Sequence, residues 1–364
     1  MPSVVGALLL SISVWQALSS GVCQQRSVKN DFLGNDGSAG YIVTNASRGH
    51  CLWYWVFESQ GNVETDPVIL WMQGGPGASG SLALFYENGP FHVNDSLDLT
   101  ANANSWTTAA TSIYIDQPIG TGWAFSEYAV DELNVREGQM MDEVLSFLSQ
   151  FMKLFPQYAT QDFYVFGESY AGHYIPVVCT KIMEYNQAGG SPRINLQGAG
   201  IGDGWVDPII QYQGYIDFAV MNNLIKPGLA GLLEEDYEVC AKAINESDWV
   251  IAAASCNLIV AGIFAVNPGM NFYDIRVICP TPLDHDCYNF TDATRFMSQL
   301  AVREQIGVSF NRVWQDPEDP FAVLAAVNGD EEMSFASLVS GLLNSGLRML
   351  IYSGQYDFAA NYVG

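Results

Sequence analysis

An apolar run turns sharply at FYVFGESYAG, residues 163–172. Its first four residues are aromatic or β-branched, as in a buried strand, and Ser169 follows at the centre of the turn. A strand that turns this tightly into a helix requires small residues two positions before and after the serine, and Gly167 and Ala171 meet the requirement. The stretch therefore predicts a nucleophile elbow that presents Ser169. The alternative is a structural serine in a glycine-rich turn.

Further apolar runs of this kind lie on both sides of the elbow. From about residue 50 to 205 they alternate with longer helix-like stretches, and each ends near a glycine, proline or aspartate. Such alternation indicates a mostly parallel sheet with crossover helices, so the predicted fold class is α/β, with the α/β-hydrolase fold. The predicted strands are residues 52–57, 68–72, 112–116, 162–166 and 199–202, and residues 135–155 are predicted to form the helix before the elbow strand.

The strand pattern fades after residue 208. Segments 212–224 and 229–244 are amphipathic, which predicts an inserted and mainly helical cap. Residues 348–353 then restore the pattern of a buried strand. The predicted division is residues 28–208 for the first part of the core, 209–337 for the cap and 338–364 for the return to the core.

A glycine-rich loop follows the strand predicted at 68–72. Its sequence, QGGPG at residues 73–77, brings backbone amides to the end of that strand. Backbone amides are common donors of an oxyanion hole, so the amide of Gly75 is expected to converge with that of Tyr170 beside the serine. The alternative is a phosphate-binding loop, although no lysine follows in the pattern that such a loop requires.

Five separate motifs, in order along the chain, resemble those of the serine carboxypeptidase family. They are LWMQGGPGAS (70–79), ENGP (87–90), YIDQPIGTG (114–122), GESYAGHY (167–174) and GIGDG (200–204). The resemblance extends from about residue 28 to the end of the sequence. Position 73 is glutamine here, whereas asparagine is the other type found in the family. This glutamine and the stretch GDG at 202–204 make the sequence more similar to the vitellogenic-like branch.

The resemblance implies a serine-type carboxypeptidase that releases C-terminal amino acids from peptides through an acyl-enzyme. Ser169 would attack the scissile carbonyl, and Gly75 and Tyr170 would donate the oxyanion-hole amides. The residues implied to bind the substrate's terminal carboxylate are Gln73, Gly74, Glu87 and Glu168. Because carboxylates bind a further carboxylate only by sharing protons, crowding is expected to raise the pKa values of the glutamates and to favour acidic pH. The longer side chain of Gln73 is expected to reshape this pocket.

The catalytic acid and base of such a hydrolase follow the serine in the order acid, then histidine. The resemblance implies Asp357 as the acid. The four histidines, His50, His92, His173 and His285, all precede it. His173, four residues after Ser169, is the alternative base. Without a histidine only residual catalysis is expected. The sequence is therefore interpreted as a nearly inactive, C-terminally truncated form. In such a form the strand at 348–353 is expected to be poorly covered.

Several features indicate passage through the secretory pathway. Residues 1–21 have the pattern of a signal peptide, and acceptor triplets for glycosylation begin at Asn45, Asn94, Asn245 and Asn289. If cleavage falls beyond Cys23, six of the seven cysteines remain, and Cys240–Cys256 and Cys279–Cys287 would be short local disulfides. The alternative is a set of buried free thiols. The expected location is lysosomal or extracellular, with no membrane span once the signal is removed.

The composition limits the possible partners. A formal net charge of −25 repels phosphate backbones, so nucleic acid is a poor candidate. No cysteine and histidine spacing resembles a zinc site, and no metal or organic cofactor is expected. The expected partners are the C-termini of peptides or proteins. Two other functions stay open, an esterase or acyltransferase on the same scaffold and a secreted peptide-binding protein without catalysis.

Overall fold

A mixed β-sheet of nine strands forms the centre of the fold. The computed structural model describes residues 23–127, 136–283, 285–308, 314 and 330–364, so the predicted signal peptide at 1–21 lies outside the described residues. The strands are β1 Arg26–Phe32, β2 Asn35–Asn45, β3 His50–Phe57, β4 Val68–Met72, β5 Phe91–Val93, β6 Leu99–Ala101, β7 Thr111–Asp116, β8 Phe125–Ser126, β9 Phe163–Glu168, β10 Leu196–Gly202 and β11 Arg348–Tyr352.

Helices cover the sheet and form the insertion. They are α1 Gly80–Tyr86, α2 Glu137–Leu154, α3 Ala171–Gln187, α4 Pro208–Met221, α5 Pro227–Asn245, α6 Trp249–Val266, α7 Thr291–Met297, α8 Leu300–Gln305 and α9 Ala336–Asn344. The fold is therefore an α/β-hydrolase fold with helical insertions, as predicted. The domain boundaries given above stay a prediction.

The order of strands brings distant segments of the chain to one edge of the sheet. The order is β1-β2-β3-β7-β4-β9-β10-β11, and the strands from β7 onward are parallel neighbours. Met72 pairs with Gly167, and Gly202 pairs with Glu168. Because the carboxyl ends of β4, β9 and β10 are level, the loops that follow them meet at one place, which is where sites form in such sheets.

The core lies on both faces of the sheet. Along β3, Leu52, Tyr54 and Val56 belong to one buried cluster, while Trp53 and Trp55 belong to the other. All eight residues of β3 are buried. A strand that is covered on both faces reads as a continuous apolar run, which explains why this strand could be predicted from the sequence.

The structure differs from the sequence-based predictions at the ends of the sheet. Strands β1 and β2 were not predicted, and β10 begins at Leu196, three residues earlier than expected. The strand predicted at 348–353 is present as β11, but although its residues have the composition of a buried strand, Leu350 and Ile351 are 53% and 58% exposed. β11 is an edge strand that pairs with β10. The expected exposure of apolar surface at this edge agrees with the structure.

Three disulfides connect six of the seven cysteines. Cys240–Cys256 and Cys279–Cys287 form as predicted, and the third joins Cys23 to Cys51. Cys179 is the free, buried thiol. The set of six that would remain after cleavage beyond Cys23 included Cys179 and left out Cys23, whereas the structure pairs Cys23 with Cys51 and leaves Cys179 free.

Candidate active site

The turn between β9 and α3 holds Ser169 in a left-handed conformation, with φ of 59°. Its N–H donates to the carbonyl of Gly202 at 3.0 Å, and its own carbonyl accepts from the amides of Gly172 and Trp205, both at 2.9 Å. A residue other than glycine with positive φ is uncommon and needs such support. The strand, sharp turn and helix therefore have the geometry that the sequence predicted for an elbow.

Small residues at the elbow are required by backbone contacts. A Cβ atom on Gly167 would lie 2.1 Å from the carbonyl oxygen of Met72 and 2.8 Å from the Cβ of Ala171. A side chain at position 167 would push β9 away from β4. The requirement inferred from the sequence thus has a direct physical cause in the pairing of these two strands.

The glycine-rich loop after β4 packs against the elbow. A Cβ atom on Gly74 would lie 2.5 Å from the amide nitrogen of Tyr170 and 2.8 Å from the Cβ of Ser169. Gly75 has φ of 110°, in the region that favours glycine. The loop therefore brings its backbone to the nucleophile, which is the position that donors to an oxyanion would need.

A pair of glutamates lies beside the elbow, joined by one amide. Nε2 of Gln73 donates to Oε1 of Glu168 at 2.8 Å and approaches Oε1 of Glu87 at 3.4 Å. The indole N–H of Trp71 donates to Oε1 of Gln73 at 2.8 Å, which fixes which end of the amide faces the glutamates. Glu87 is placed there because it ends α1. The acidic pair next to the loop disfavours the alternative of phosphate binding.

Burial and proximity raise the pKa values of both glutamates. For Glu87, burial raises the pKa well above its ordinary value of 4.5, the charge of Glu168 raises it further, and the amide of Gln73 opposes the shift. For Glu168, burial again raises the pKa, with a smaller contribution from the charge of Asp203. The pair therefore retains a proton at a pH where exposed glutamates are ionised.

This shift predicts how stability depends on pH. A carboxyl group whose pKa is higher in the folded state binds more protons there than in the unfolded chain. Its contribution to the free energy of unfolding is therefore complete below about pH 4.5, the ordinary pKa of glutamate, and is lost as pH rises through the folded pKa. Glu168→Gln is expected to reduce this loss by about 1.4 kcal/mol for each unit by which the pKa is raised. Urea denaturation between pH 4 and 8 measures it. The exposed Glu64→Gln is the control, and equal slopes in both variants would contradict the assignment.

Asp357 lies after β11, the neighbour of β10. Its two carboxylate oxygens accept from the amides of Ala359 and Ala360, at 3.1 and 2.9 Å. Burial, followed by the charge of Asp203, raises its pKa to about 7 although the two amides oppose the shift. The residue implied as the catalytic acid is thus buried at the same end of the sheet as the elbow.

The four histidines have other contacts within the described part of the chain. His50 lies 2.6 Å from Glu143, while Nδ1 of His92 and of His285 each lie 2.8 Å from a backbone carbonyl, of Phe85 and Met270. His173 is fully buried, with the rings of Tyr170 and Phe335 each 4.5 Å from its own, and burial lowers its pKa to about 3. Among the described residues, no hydrogen bond joins a histidine to Ser169 or Asp357.

Sequence reasoning left two aspartates near the site without a role. Asp203, at the end of β10, accepts from the amide of Gly354 at 2.6 Å and so connects the loops after β10 and β11. Asp116 is fully buried after β7 and accepts from Ser79 Oγ and the Trp123 amide, at 2.5 and 2.7 Å. Both lie at carboxyl ends of parallel strands, which was the signal available in the sequence.

Metal ligation has no support in this region. Among residues 23–127, 136–283, 285–308, 314 and 330–364, no group of three or more histidine, cysteine, aspartate or glutamate side chains could hold a metal ion. The chemistry available at the site is that of a serine hydroxyl, backbone amides and a proton-sharing acidic pair.

Comparison with known proteins gives consistent similarities. A family model described as serine carboxypeptidase matches residues 29–364. Serine carboxypeptidase-like 48 of Arabidopsis thaliana is 36% identical over 334 residues, which cover 90% of this chain and 64% of the relative. Serine carboxypeptidase S10 family member 1 of Dictyostelium discoideum is 36% identical over 329 residues, with 90% of this chain and 77% of the relative covered.

A solved structure is similar over the same region. The crystal structure of Kex1Δp, a prohormone-processing carboxypeptidase from Saccharomyces cerevisiae, superposes with a TM-score of 0.78 at 25% identity and covers 90% of this chain and 75% of that one. The chain spans slightly less than two thirds of the length of two plant relatives, 64% for the Arabidopsis protein and 65% for serine carboxypeptidase 3 of Oryza sativa.

Proposed function

Since this chain belongs to the serine carboxypeptidase family, we propose that its site binds the C-terminus of a peptide and directs Ser169 at the last peptide bond. The observation that carries the proposal is the Glu87–Gln73–Glu168 group next to the serine. Glu168 directly precedes Ser169, and Gln73 begins the loop whose Gly74 packs against Ser169, so a carboxylate bound by this group would lie close to the serine. The closer resemblance to the vitellogenic-like branch stays a prediction.

The proposed reaction proceeds through an acyl-enzyme. Ser169 Oγ attacks the carbonyl carbon, its proton passes to a base, and the negative oxygen is stabilised by the amides of Gly75 and Tyr170. Collapse of this intermediate breaks the C–N bond, and the base returns its proton to the nitrogen of the departing amino acid. Water, deprotonated by the same base, then attacks the ester, and the proton passes to Ser169 Oγ as the acid is released. Asp357 would orient and stabilise the base.

Acidic conditions follow from the binding step in this proposal. A substrate carboxylate is negative, and two ionised glutamates would repel it. With a proton retained between Glu87 and Glu168, the group donates a hydrogen bond to the carboxylate together with the amide of Gln73. Binding is therefore expected to weaken as pH rises through the pKa values of the pair.

Among the described residues, no side chain is placed to act as the base of the proposed reaction. A serine hydroxyl without a base is a weak nucleophile, and removal of one triad member leaves catalysis of roughly 10³ to 10⁴ over water. We therefore expect the 364-residue chain by itself to bind peptides and to release amino acids from them only at a residual rate.

Binding of a labelled dipeptide tests both parts of the proposal. A peptide with a free C-terminus is expected to bind at least about tenfold more tightly at pH 5 than at pH 7.5, and more tightly than its C-terminal amide at pH 5, in fluorescence anisotropy. Ser169→Ala is expected to leave binding unchanged, and Glu168→Gln to weaken the pH dependence. Equal binding of acid and amide would refute the carboxylate site.

Product analysis separates the candidate activities. Release of the C-terminal amino acid by the 364-residue chain is expected at the level of its Ser169→Ala variant. Release well above that level would contradict the absence of a base, and ester cleavage without amino-acid release would favour the esterase or acyltransferase alternative. The family assignment does not depend on either result.

The proposed environment is the secretory pathway, with a lysosomal or extracellular destination. Three disulfides are typical of an oxidising compartment. The acceptor asparagines are either exposed, as Asn245 and Asn289 are, or half-buried, as Asn45 and Asn94 are. Glycosylation at these four positions stays a prediction.

A further inference from the structure

Asp203 follows the last residue of β10 in a backbone conformation that is uncommon for an aspartate. Its φ is 41°, in the left-handed region that favours glycine. Such a conformation persists only where the surrounding structure holds it, and it occurs most often at functional sites. The contacts of Asp203 therefore indicate what this residue does besides ending a strand.

The backbone at residues 202 and 203 joins the elbow to the end of β11. The carbonyl of Gly202 accepts from the amide of Ser169 at 3.0 Å. The amide of Asp203 donates to the carbonyl of Tyr352 at 2.8 Å, at the end of β11. Two residues of β10 and its loop thus lie between the proposed nucleophile and the strand that leads to Asp357.

The side chain of Asp203 contacts the loop that carries Asp357. Its Oδ1 accepts from the amide of Gly354 at 2.6 Å, and the carbonyl of Gly354 accepts in turn from the amide of Asp357 at 3.3 Å. A hydrogen bond from an amide to a carboxylate is stronger than one between neutral groups. The carboxylate of Asp203 therefore holds the turn at residues 354–357 against the end of β10.

The carboxyl groups of Asp203 and Asp357 also interact directly. Burial raises the pKa of Asp203, and hydrogen bonds from the amide of Gly354 and the carboxyl of Asp357 oppose the shift. Burial is the largest cause of the raised pKa of Asp357, and among charged groups Asp203 contributes most. Because two adjacent carboxyl groups do not both ionise readily, Asp357 keeps a proton and donates it to an ionised Asp203.

The other titratable groups that face the two aspartates are acids. Glu168 of β9 interacts with the charges of both. The phenols whose pKa values are raised by burial and by the charge of one of the aspartates are Tyr215 of α4, Tyr273 and Tyr288 of the segments after α6, and Tyr352 of β11. Arg276, which lies over the ring of Tyr356 in the same loop, is paired with Asp274 at 2.7 Å. The charge on Asp357 is therefore controlled by other acids, of which Asp203 has the largest effect.

We propose that Asp203 is a positioning residue for Asp357, which holds the loop of that acid beside the elbow and shares a proton with it. The inference rests on the proposed function only in taking Asp357 as the catalytic acid. An acid that keeps its proton cannot stabilise a positively charged base. Asp203 therefore raises the pH above which Asp357 can act, while the Glu87–Glu168 pair limits binding at higher pH.

Amide hydrogen exchange tests the positioning of the loop. Asp203→Gly removes the carboxylate but suits the positive φ, so it is expected to fold and to speed exchange of the Gly354 amide at least about tenfold. Asp203→Asn keeps an oxygen acceptor and is expected to retain most of the protection. Asp66→Asn is the matched control, because Asp66 is also half-buried and accepts from a loop amide, that of Asn62 at 2.7 Å, before the opposite end of β4. Unchanged exchange in Asp203→Gly would overturn the positioning.

Carbon-13 NMR of the aspartate carboxyl groups tests the shared proton. The signal of Asp357, identified by its loss in Asp357→Asn, is expected to titrate about 1 pH unit lower in Asp203→Asn than in the parent chain. Asp66→Asn is expected to leave it unchanged. A residue that only supported the fold would alter stability without moving this titration, so an unmoved signal in Asp203→Asn would overturn the shared proton. Both measurements are made without peptide, and a failure to bind peptide C-termini would contradict the proposed function without changing either result.

Discussion

Gly167→Ala is expected to lower the free energy of unfolding by about 3 kcal/mol or more, measured by urea denaturation. The new Cβ would lie 2.1 Å from the carbonyl oxygen of Met72, which is backbone and has no flexible end to move. Relief requires β9 to separate from β4 where Met72 and Gly167 pair. Because Ser169 follows two residues later, the same shift is expected to displace the proposed nucleophile.

The matched control is another glycine-to-alanine change. Gly138, in the first turn of α2, has no atom within 4 Å of the position that a Cβ would occupy. Gly138→Ala is expected to stabilise the protein by about 0.5 to 1 kcal/mol, because alanine restricts the unfolded chain and suits a helix. If both variants had the same stability, the contact with Met72 would not be the cause of the requirement for glycine at the elbow.

Removal of each disulfide is expected to lower the free energy of unfolding, and the loss is expected to increase with the length of the loop that the disulfide closes. Double alanine variants should lose about 3.5, 3 and 2.5 kcal/mol for separations of 28, 16 and 8 residues, from the chain entropy of the unfolded state. The largest loss is expected for Cys23–Cys51. Denaturant unfolding of the three variants measures the order. Cys179→Ala is the control, since its thiol is free and its variant should respond to reductant as the parent does.

An order in which Cys279–Cys287 mattered most would contradict the entropic account. It would indicate that native contacts near that disulfide, rather than freedom of the unfolded chain, carry its contribution. Equal sensitivity of the parent chain and all three variants to reductant would also count against it, because each variant has one fewer bond to lose.

The elbow and the loop beside it could be predicted because their signals are local. A buried strand on both faces is apolar throughout, and a tight turn requires small residues at fixed positions, so residues 163–172 contain most of the information. The same holds for β4 and the loop at residues 73–77. The relation between Glu87 and Glu168 depended on the family resemblance, since composition alone does not indicate that the end of α1 faces the end of β9.

Other features depended on contacts that the local sequence does not specify. Strand β1 alternates exposed and half-buried residues without a strong apolar signal, and it is held by pairing with β2. Six cysteines allow 15 pairings, and the partner of Cys51 is Cys23, two residues after the predicted signal peptide. Strand β11 has the composition of a core strand, but its burial depends on its neighbours in space rather than on its own residues.

Helix α6 is a further example in which the local sequence does not show which side chains are buried. Its residues are as apolar as those of a core helix, so periodicity could not separate the side that faces the protein from the side that faces solvent. Only the position of Cys256, which is bonded to α5, identifies the inner side.

The order of strands in the sheet also determines how long the edge of a strand stays unpaired during translation. β10 pairs with β11, yet the whole chain between Gly202 and Arg348 must be translated before that partner exists. At about 5 to 20 residues per second, β10 has an open edge for on the order of 10 s while its other neighbour is already in place. An unpaired edge of this kind can recruit another nascent chain. Slower translation after residue 202 would therefore lower the yield of folded protein without any change in its amino-acid sequence.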